Sequence, residues 1–370
     1  MRVLVVGSGI FGASLAYSLT KAGAEVIVAD EGHAGRATGA GAGIVCPWAT
    51  REDDVDFYRF YEAGYRHYLG IIPELDEAGV KETGYSKVGG LVIAETETEA
   101  DEVSARLERR IAGAPEAGQM TRLTGRDVQS YFPPLREGLT AFHVSGGARI
   151  EARTVAAALL HAARIKGATT LSGHVSIRLR GKTALASING ENLAVDRIAL
   201  TTGAWMNDLL GSLGLSVPVE PQKGQIVHLQ LHGYSTDHWP VVLPQGSHYM
   251  LAFPGGRIVV GATRETGSGF DYRLTAGGQA EVLNFALSLA PGLAAATHLE
   301  TRIGFRPFYT AKKPIIDQAP GFDNLFLGNG LGSGGLTMGP LAGHLLAQLI
   351  VGQIPDINLS PYALPVPNQV

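Results

Sequence analysis

The first thirty residues restrict the fold more than any other part of the chain. Arg2–Val6 is a short apolar run that passes straight into Gly7-Ser8-Gly9-Ile10-Phe11-Gly12. An alanine-rich helical pattern continues to about Thr20, and after Gly23 a second apolar run, Ala24–Ala29, ends in Asp30. Each part has a mechanical reason. Gly7 permits a tight turn, Gly9 lets backbone amides approach a pyrophosphate, and Gly12 lets the helix pack closely on the strand. The helix N-terminus then faces the phosphates. Asp30 lies 18 residues beyond Gly12, where a carboxylate meets the ribose hydroxyls of a dinucleotide. The acid favours an unphosphorylated ribose, so FAD or NAD over NADP, and this stretch alone leaves both open.

Composition narrows the class. A chain of 370 residues is ample for two domains, with 45% hydrophobic residues and only 17% charged. Net charge is -4 with no Lys/Arg block, which argues against a nucleic-acid surface. No run approaches the roughly 18 apolar residues of a membrane span. A strand that begins at once leaves no room for a cleaved leader, so a cytoplasmic location is expected. The single cysteine, Cys46, excludes a disulfide framework and a cysteine-rich metal site, and reads as a small buried hydrophobe; no metal is expected.

Glycine-rich crossings recur. Glu31–Ile44 holds five glycines with Arg36, Ala37 and Thr38 among them, and reads as backbone wrapped around an elongated cofactor. Arg197–Thr201 is an apolar strand running into Thr202-Gly203-Ala204-Trp205 and a helix. Asn324–Leu327 leads into a third loop, with six glycines between Gly328 and Gly339, before an apolar helix at Leu341–Val351. A helix N-terminus aimed at a bound group accounts for it, because free amides there stabilise negative charge.

Between the crossings the spacing predicts an aromatic-rich core helix over Asp53–Leu75, a strand over Tyr85–Ala94, and helices over Glu95–Ala112, Thr124–Ser130 and Glu151–Lys166. Strands are expected at Thr169–Leu171, Val175–Leu179, Ala184–Ile188 and Leu193–Val195, the last two joined by an Asn189-Gly190 hairpin turn. Most remaining strand signal falls in Pro218–Leu231 and Trp239–Gly261, followed by a helix over Leu274–Leu289. The expected fold is α/β: a Rossmann-like domain from 1–80, 145–215 and 320–370. A second α+β domain on a mixed, largely antiparallel sheet is expected from 81–144 and 216–319.

Taken in order, several stretches resemble the FAD-dependent amine and D-amino-acid oxidoreductases, the family of glycine oxidase, D-amino-acid oxidase and dehydrogenase, and monomeric sarcosine oxidase. They are Leu4–Gly12, Ala37-Thr38 through Gly43-Ile44, Thr202–Trp205, Pro221–Gln225, Val260–Glu265, Gly304-Phe305-Arg306-Pro307 and Gly330–Pro340. The resemblance spans nearly the whole chain. It implies FAD, held non-covalently since the late cysteine of the sarcosine-oxidase branch is missing. The cofactor contacts it implies are Gly7, Gly9, Ile10, Phe11, Gly12, Asp30, Glu31, Arg36, Ala37, Thr38, Gly43, Ile44, Val175, Gly203, Ala204, Trp205 and Arg306. To these it adds Gly330, Gly332, Ser333, Gly334, Gly335, Leu336 and Thr337 at the flavin edge. Arg306 would pair with a substrate carboxylate through its planar fork. Tyr249 would add a carboxylate or amine contact. His248, Met250, Arg302 and Tyr309 are further candidates for the cavity, and Lys312-Lys313 for the charge at its mouth.

On this resemblance the chain oxidises the C–N bond of a small amino acid to an imine, by hydride transfer to flavin N5. The class runs over glycine, a D-amino acid, and an N-methyl or cyclic imino acid. Two other readings compete: an NAD-dependent dehydrogenase or reductase, and a non-catalytic flavin-binding scaffold. A single nucleotide-binding segment would suffice for the former, which leaves the later crossings unexplained. The electron acceptor and the oligomeric state stay open.

Overall fold

The computed structural model describes residues 1–365. A six-stranded sheet runs in the order Ile315–Gln318, Leu325–Asn329, Arg197–Leu200, Arg2–Val6, Glu25–Asp30 and Thr169–Ser172. Its strands are parallel except the first, which pairs antiparallel with Leu325–Asn329. The sequence places Ile315–Gln318 in the other domain; here it extends the nucleotide-side sheet. Arg2–Val6 is central, and Val3, Leu4 and Val5 are wholly buried, because helices or further sheet cover both faces.

An eight-stranded mixed sheet lies beside it, ordered Thr297–Phe308, Glu220–Gln230, Arg257–Gly261, Tyr249–Phe253, Val241–Leu243, Gly90–Ala94, Thr140–Val144 and Met120–Thr124. The long strand Thr297–Phe308 has no counterpart among the sequence expectations. Tyr85–Ala94 is also two strands rather than one: Tyr85–Lys87 joins a small sheet, and Gly90–Ala94 joins the large one after the turn at Gly89. Residues of the expected 124–130 helix divide similarly, between a strand to Thr124 and a helix from Arg126. The Asn189-Gly190 turn has φ of 51° and 88°, as a two-residue hairpin demands.

The last helix begins earlier than expected, at Gly335, and carries Pro340 inside it. Pro340 has no N–H to offer the carbonyl four residues back. Tyr68 Oη donates to that Leu336 oxygen at 2.6 Å. The helix packs along Ile10–Lys21, where Gly343 sits so close that a Cβ would lie 2.6 Å from Leu15 N. Ser14 Oγ bonds Pro340 O at 2.6 Å across the same seam. Among the described residues no helix is long and apolar enough to cross a membrane.

One buried group makes stability depend on pH. His228 is 2% exposed and neither ring nitrogen has a hydrogen-bond partner. Burial pushes its pKa down to about 4, the Arg302 charge adds to this, Glu300 opposes it, and Arg257 and Arg153 add a little. The unfolded chain titrates this group near its ordinary value of about 6.5, so it takes up the proton first as pH falls. Its neutral form thus contributes stability above about 6.5 that is lost on acidification towards 4. Between about pH 7 and pH 5 the loss is roughly 2 kcal/mol. Urea unfolding of wild type and His228→Leu at both pH values is expected to show this slope in the wild type and a flatter one in the variant.

Candidate active site

An elongated cavity of about 810 Å³ is lined by residues from both large sheets. Its inner end is built from the opening crossing. Gly7 takes φ +103°, and at Gly12 a Cβ would stand 1.9 Å from Gly7 O, so only hydrogen at both lets strand, turn and helix fit. Helix Ile10–Lys21 starts at Gly9 with no capping side chain and no acid in its first turn. Ile10 N is met by Thr38 Oγ1 at 3.0 Å, which ties the second glycine run to the first.

Asp30 is more engaged than its expected role requires. Its carboxylate accepts Ser8 N and Ser8 Oγ, both at 2.6 Å, Gly32 N at 2.7 Å and Arg36 Nη1 at 3.1 Å. Burial alone would raise its pKa, but these bonds and the Arg36 charge hold it below the usual carboxylate range. Arg36 is therefore Asp30's partner as well as a wall of the cavity.

The third crossing supplies a second helix N-terminus, at Gly335, whose N-cap residue is again a glycine and whose first turn again has no acid. Two such ends, each of a long helix, face one cavity from opposite segments of the chain. Thr202 Oγ1 lines the same wall, buried and without a partner. Glycine at 7, 9, 41, 43, 332, 334 and 335 keeps the lining clear of side chains. Amide-rich ends, a carboxylate at the tip of the second strand and a narrow glycine trough fit a long phosphate-bearing dinucleotide such as FAD.

Most sequence candidates meet in this one cavity. Gly7, Gly9, Ile10, Phe11, Asp30, Glu31, Arg36, Ala37, Thr38, Gly43, Ile44, Val175, Gly203, Ala204 and Trp205 line it. So do Gly332, Ser333, Gly334, Gly335, Leu336, Tyr249 and Arg306. Three do not. Gly12 serves helix packing, and Gly330 turns tightly against Lys313 O. Thr337 gives its hydroxyl to Ile44 O at 3.0 Å, latching the last helix to the second glycine run. Of the further candidates, His248 and Tyr309 line the cavity, while Met250 is core and Arg302 pairs with Glu300. Lys312 pairs with Glu52 at 2.6 Å, and Lys313 with Asp56 at 3.0 Å, so neither lends free charge to the mouth.

The outer end explains why Arg306 and Tyr249 meet. They stand on strands separated by two others, Glu220–Gln230 and Arg257–Gly261. Each leans over a glycine of its neighbour. A Cβ on Gly224 would lie 2.6 Å from Arg306 Nη1, and one on Gly261 2.7 Å from Tyr249 Oη. The two glycines form a bare floor on which guanidinium and phenol converge. Thr263 O accepts from Arg306 Nη1 at 3.1 Å. Thr263 is itself held, its hydroxyl giving to Glu265 at 2.7 Å, and buried Lys223 stands 3.3 Å from that carboxylate. Burial raises the Tyr249 phenol, opposed by the charges of Arg306 and Arg264. Burial lowers the Arg306 pKa, opposed by Tyr249. Arg306 thus faces the cavity, not away from it as a mere binding scaffold would have it.

Among the lining residues that sequence reasoning did not assign to the site are Arg264, His33 and Arg51. Arg264 follows Thr263 within a stretch quoted for the resemblance, and its charge reaches both Tyr249 and Arg306. His33 stacks on Trp205 at 4.7 Å, and Phe270 covers the other side at 4.9 Å. Arg51 lines the mouth from a segment with no secondary structure. Cys46 also lines the cavity, but burial pushes its thiol up to about 12, so it is a packing residue.

Comparison with known proteins agrees with this geometry. Residues 2–349 match the family described as FAD dependent oxidoreductase. The chain is 51% identical to the solved iminodiacetate oxidase of Chelativorans sp. BNC1, with a TM-score of 0.96, covering 98% of this chain and 99% of that one. It is 42% identical to an uncharacterized oxidoreductase, YurR, of Bacillus subtilis over 97% of each chain. Glycine oxidase of Pseudomonas aeruginosa is 30% identical over 98% of each.

Proposed function

Because the chain belongs to the FAD-dependent oxidoreductase family, whose cofactor the trough fits, we propose that it oxidises the C–N bond of a small N-substituted glycine. Two activities named among its relatives, those of glycine oxidase and iminodiacetate oxidase, share a chemical unit. Glycine and iminodiacetate both present an amino nitrogen, a methylene and a carboxylate. The observation that carries the reading is the convergence of Arg306 and Tyr249 over the Gly224–Gly261 floor, at one end of the trough.

Arg306 takes the carboxylate through its two-pronged guanidinium, which Thr263 O keeps from swinging. Tyr249, kept protonated by burial, offers a second hydrogen bond at the same point. Arg264 adds positive charge beside them. Bound in the trough, FAD supplies the two-electron acceptor. The substrate loses the hydrogen and electron pair of its methylene C–H and one N–H proton. Water hydrolyses the resulting imine to glyoxylate and the amine. The protein's share is largely placement, holding reacting atoms at roughly 3–3.5 Å. The six-stranded sheet would serve the cofactor, and the eight-stranded sheet would roof the substrate.

Anaerobic mixing of the holoenzyme with iminodiacetate, N-methylglycine and glycine is expected to bleach the flavin with the N-substituted compounds. Glyoxylate should appear in step with bleaching. Reduction by amines without a carboxylate, and by none of these three, would overturn the reading.

A further inference from the structure

The outer end of the cavity carries more positive charge than one carboxylate uses. Three guanidinium groups line it, those of Arg51, Arg264 and Arg306, and among the described residues none is paired with a carboxylate. Nearby, Lys312 is paired with Glu52 at 2.6 Å, and the His248 ring lies 3.2 Å from Glu281. Arg264 belongs with the inner pair, since its charge falls on Tyr249 and Arg306. Arg51 stands apart.

Arg51 comes from the irregular segment between Ala49 and the helix at Val55. Its Nη1 is bonded to Gln245 O and its Nη2 reaches Gly246 O at 3.2 Å. Neutral carbonyls fix the group in place without neutralising it, and they occupy only part of its set of five N–H donors. Gly246 lies three residues before Tyr249, a span of at most about 11 Å. Arg51 therefore lines the same cavity as Tyr249 and Arg306 and is tied to the chain just before Tyr249.

We propose that Arg51 forms a second anion subsite, which takes the distal carboxylate of a substrate with two carboxymethyl arms on one nitrogen. The proposal rests on the functional reading above and names its substrate class, imino diacids. A second carboxylate drawn into the cavity without a partner would forfeit its hydration. A pinned guanidinium replaces that hydration with charge-assisted hydrogen bonds. The uncompensated positive end would also favour ligands with two carboxylates over those with one.

The test compares two substrates that differ only in the distal carboxylate, iminodiacetate and N-methylglycine, using holoenzyme of matched flavin content. Arg51→Gln removes the charge and keeps a shorter polar side chain at the same position. The ratio of kcat/KM for iminodiacetate over N-methylglycine is expected to fall at least tenfold, mainly through KM for iminodiacetate. Arg51→Lys, which keeps the charge but loses the fork, should retain part of the preference. A ratio within twofold of wild type overturns the subsite and leaves the functional reading standing. So does a wild type reduced by N-methylglycine and not by iminodiacetate. Wild type reduced by neither overturns both.

Discussion

Replacing Arg306 by alanine is expected to cost about two orders of magnitude in kcat/KM for an N-substituted glycine while the protein stays yellow. The guanidinium lines the cavity, is fixed by Thr263 O at 3.1 Å and lies on Gly224, so its removal leaves the incoming carboxylate without its main partner. Truncating one member of a hydrogen-bonded charge pair costs about 2–5 kcal/mol, and 1.4 kcal/mol is roughly tenfold. On the proposed docking role the loss should fall mainly on KM, since a group that only positions the substrate supplies no proton. Gly224→Ala tests the same point without touching the charge, because its methyl would displace the guanidinium and should move KM in the same direction by less. Steady-state kinetics with flavin content measured in parallel would decide; unchanged kinetics in Arg306→Ala would falsify the docking role.

Gly12→Ala is expected to produce protein that holds FAD poorly. Its methyl would stand 1.9 Å from Gly7 O and 2.6 Å from Thr201 Oγ1. The hydroxyl can turn, but the carbonyl belongs to the glycine turn that lines the cavity proposed for the cofactor. Overpacking of this kind costs about 1–3 kcal/mol, or roughly tenfold to a hundredfold if it falls on cofactor affinity. Titration of the apoprotein with FAD measures it. Far-UV circular dichroism like that of wild type shows whether the helix has survived. A variant that binds FAD as tightly as wild type would remove the turn from the cofactor site.

These two residues also mark how far the sequence could be read. Gly12 follows from a local rule, because strand, turn and helix are contiguous and their steric demands act within a dozen residues. Arg306 was reached through family resemblance alone. The strand that carries it, Thr297–Phe308, shows no alternating pattern: its first four residues are all exposed and Ile303, Gly304 and Phe305 are all buried. The start of the last helix was hidden for the opposite reason. Gly334, Gly335 and Pro340 weaken helix propensity, and what overrides them is packing on Ile10–Lys21 and the Tyr68 hydroxyl on Leu336 O. Arg51 and Arg264 carry no local signature at all. Their place in the cavity depends on strand order and on the 245–246 turn, neither of which is written in their immediate neighbours.

The bare floor beneath Arg306 and Tyr249 divides what can vary in such an enzyme from what cannot. At positions 224 and 261 an added carbon would collide with the Arg306 guanidinium and the Tyr249 phenol, so the proposed grip on the common end of the ligand would be locked into the pleat of the sheet. The surrounding rim is made of irregular segments, where exchanging one side chain disturbs no ladder. On the proposed reading, exchanges in the rim would rewrite which amines are accepted while the acid-gripping end is kept.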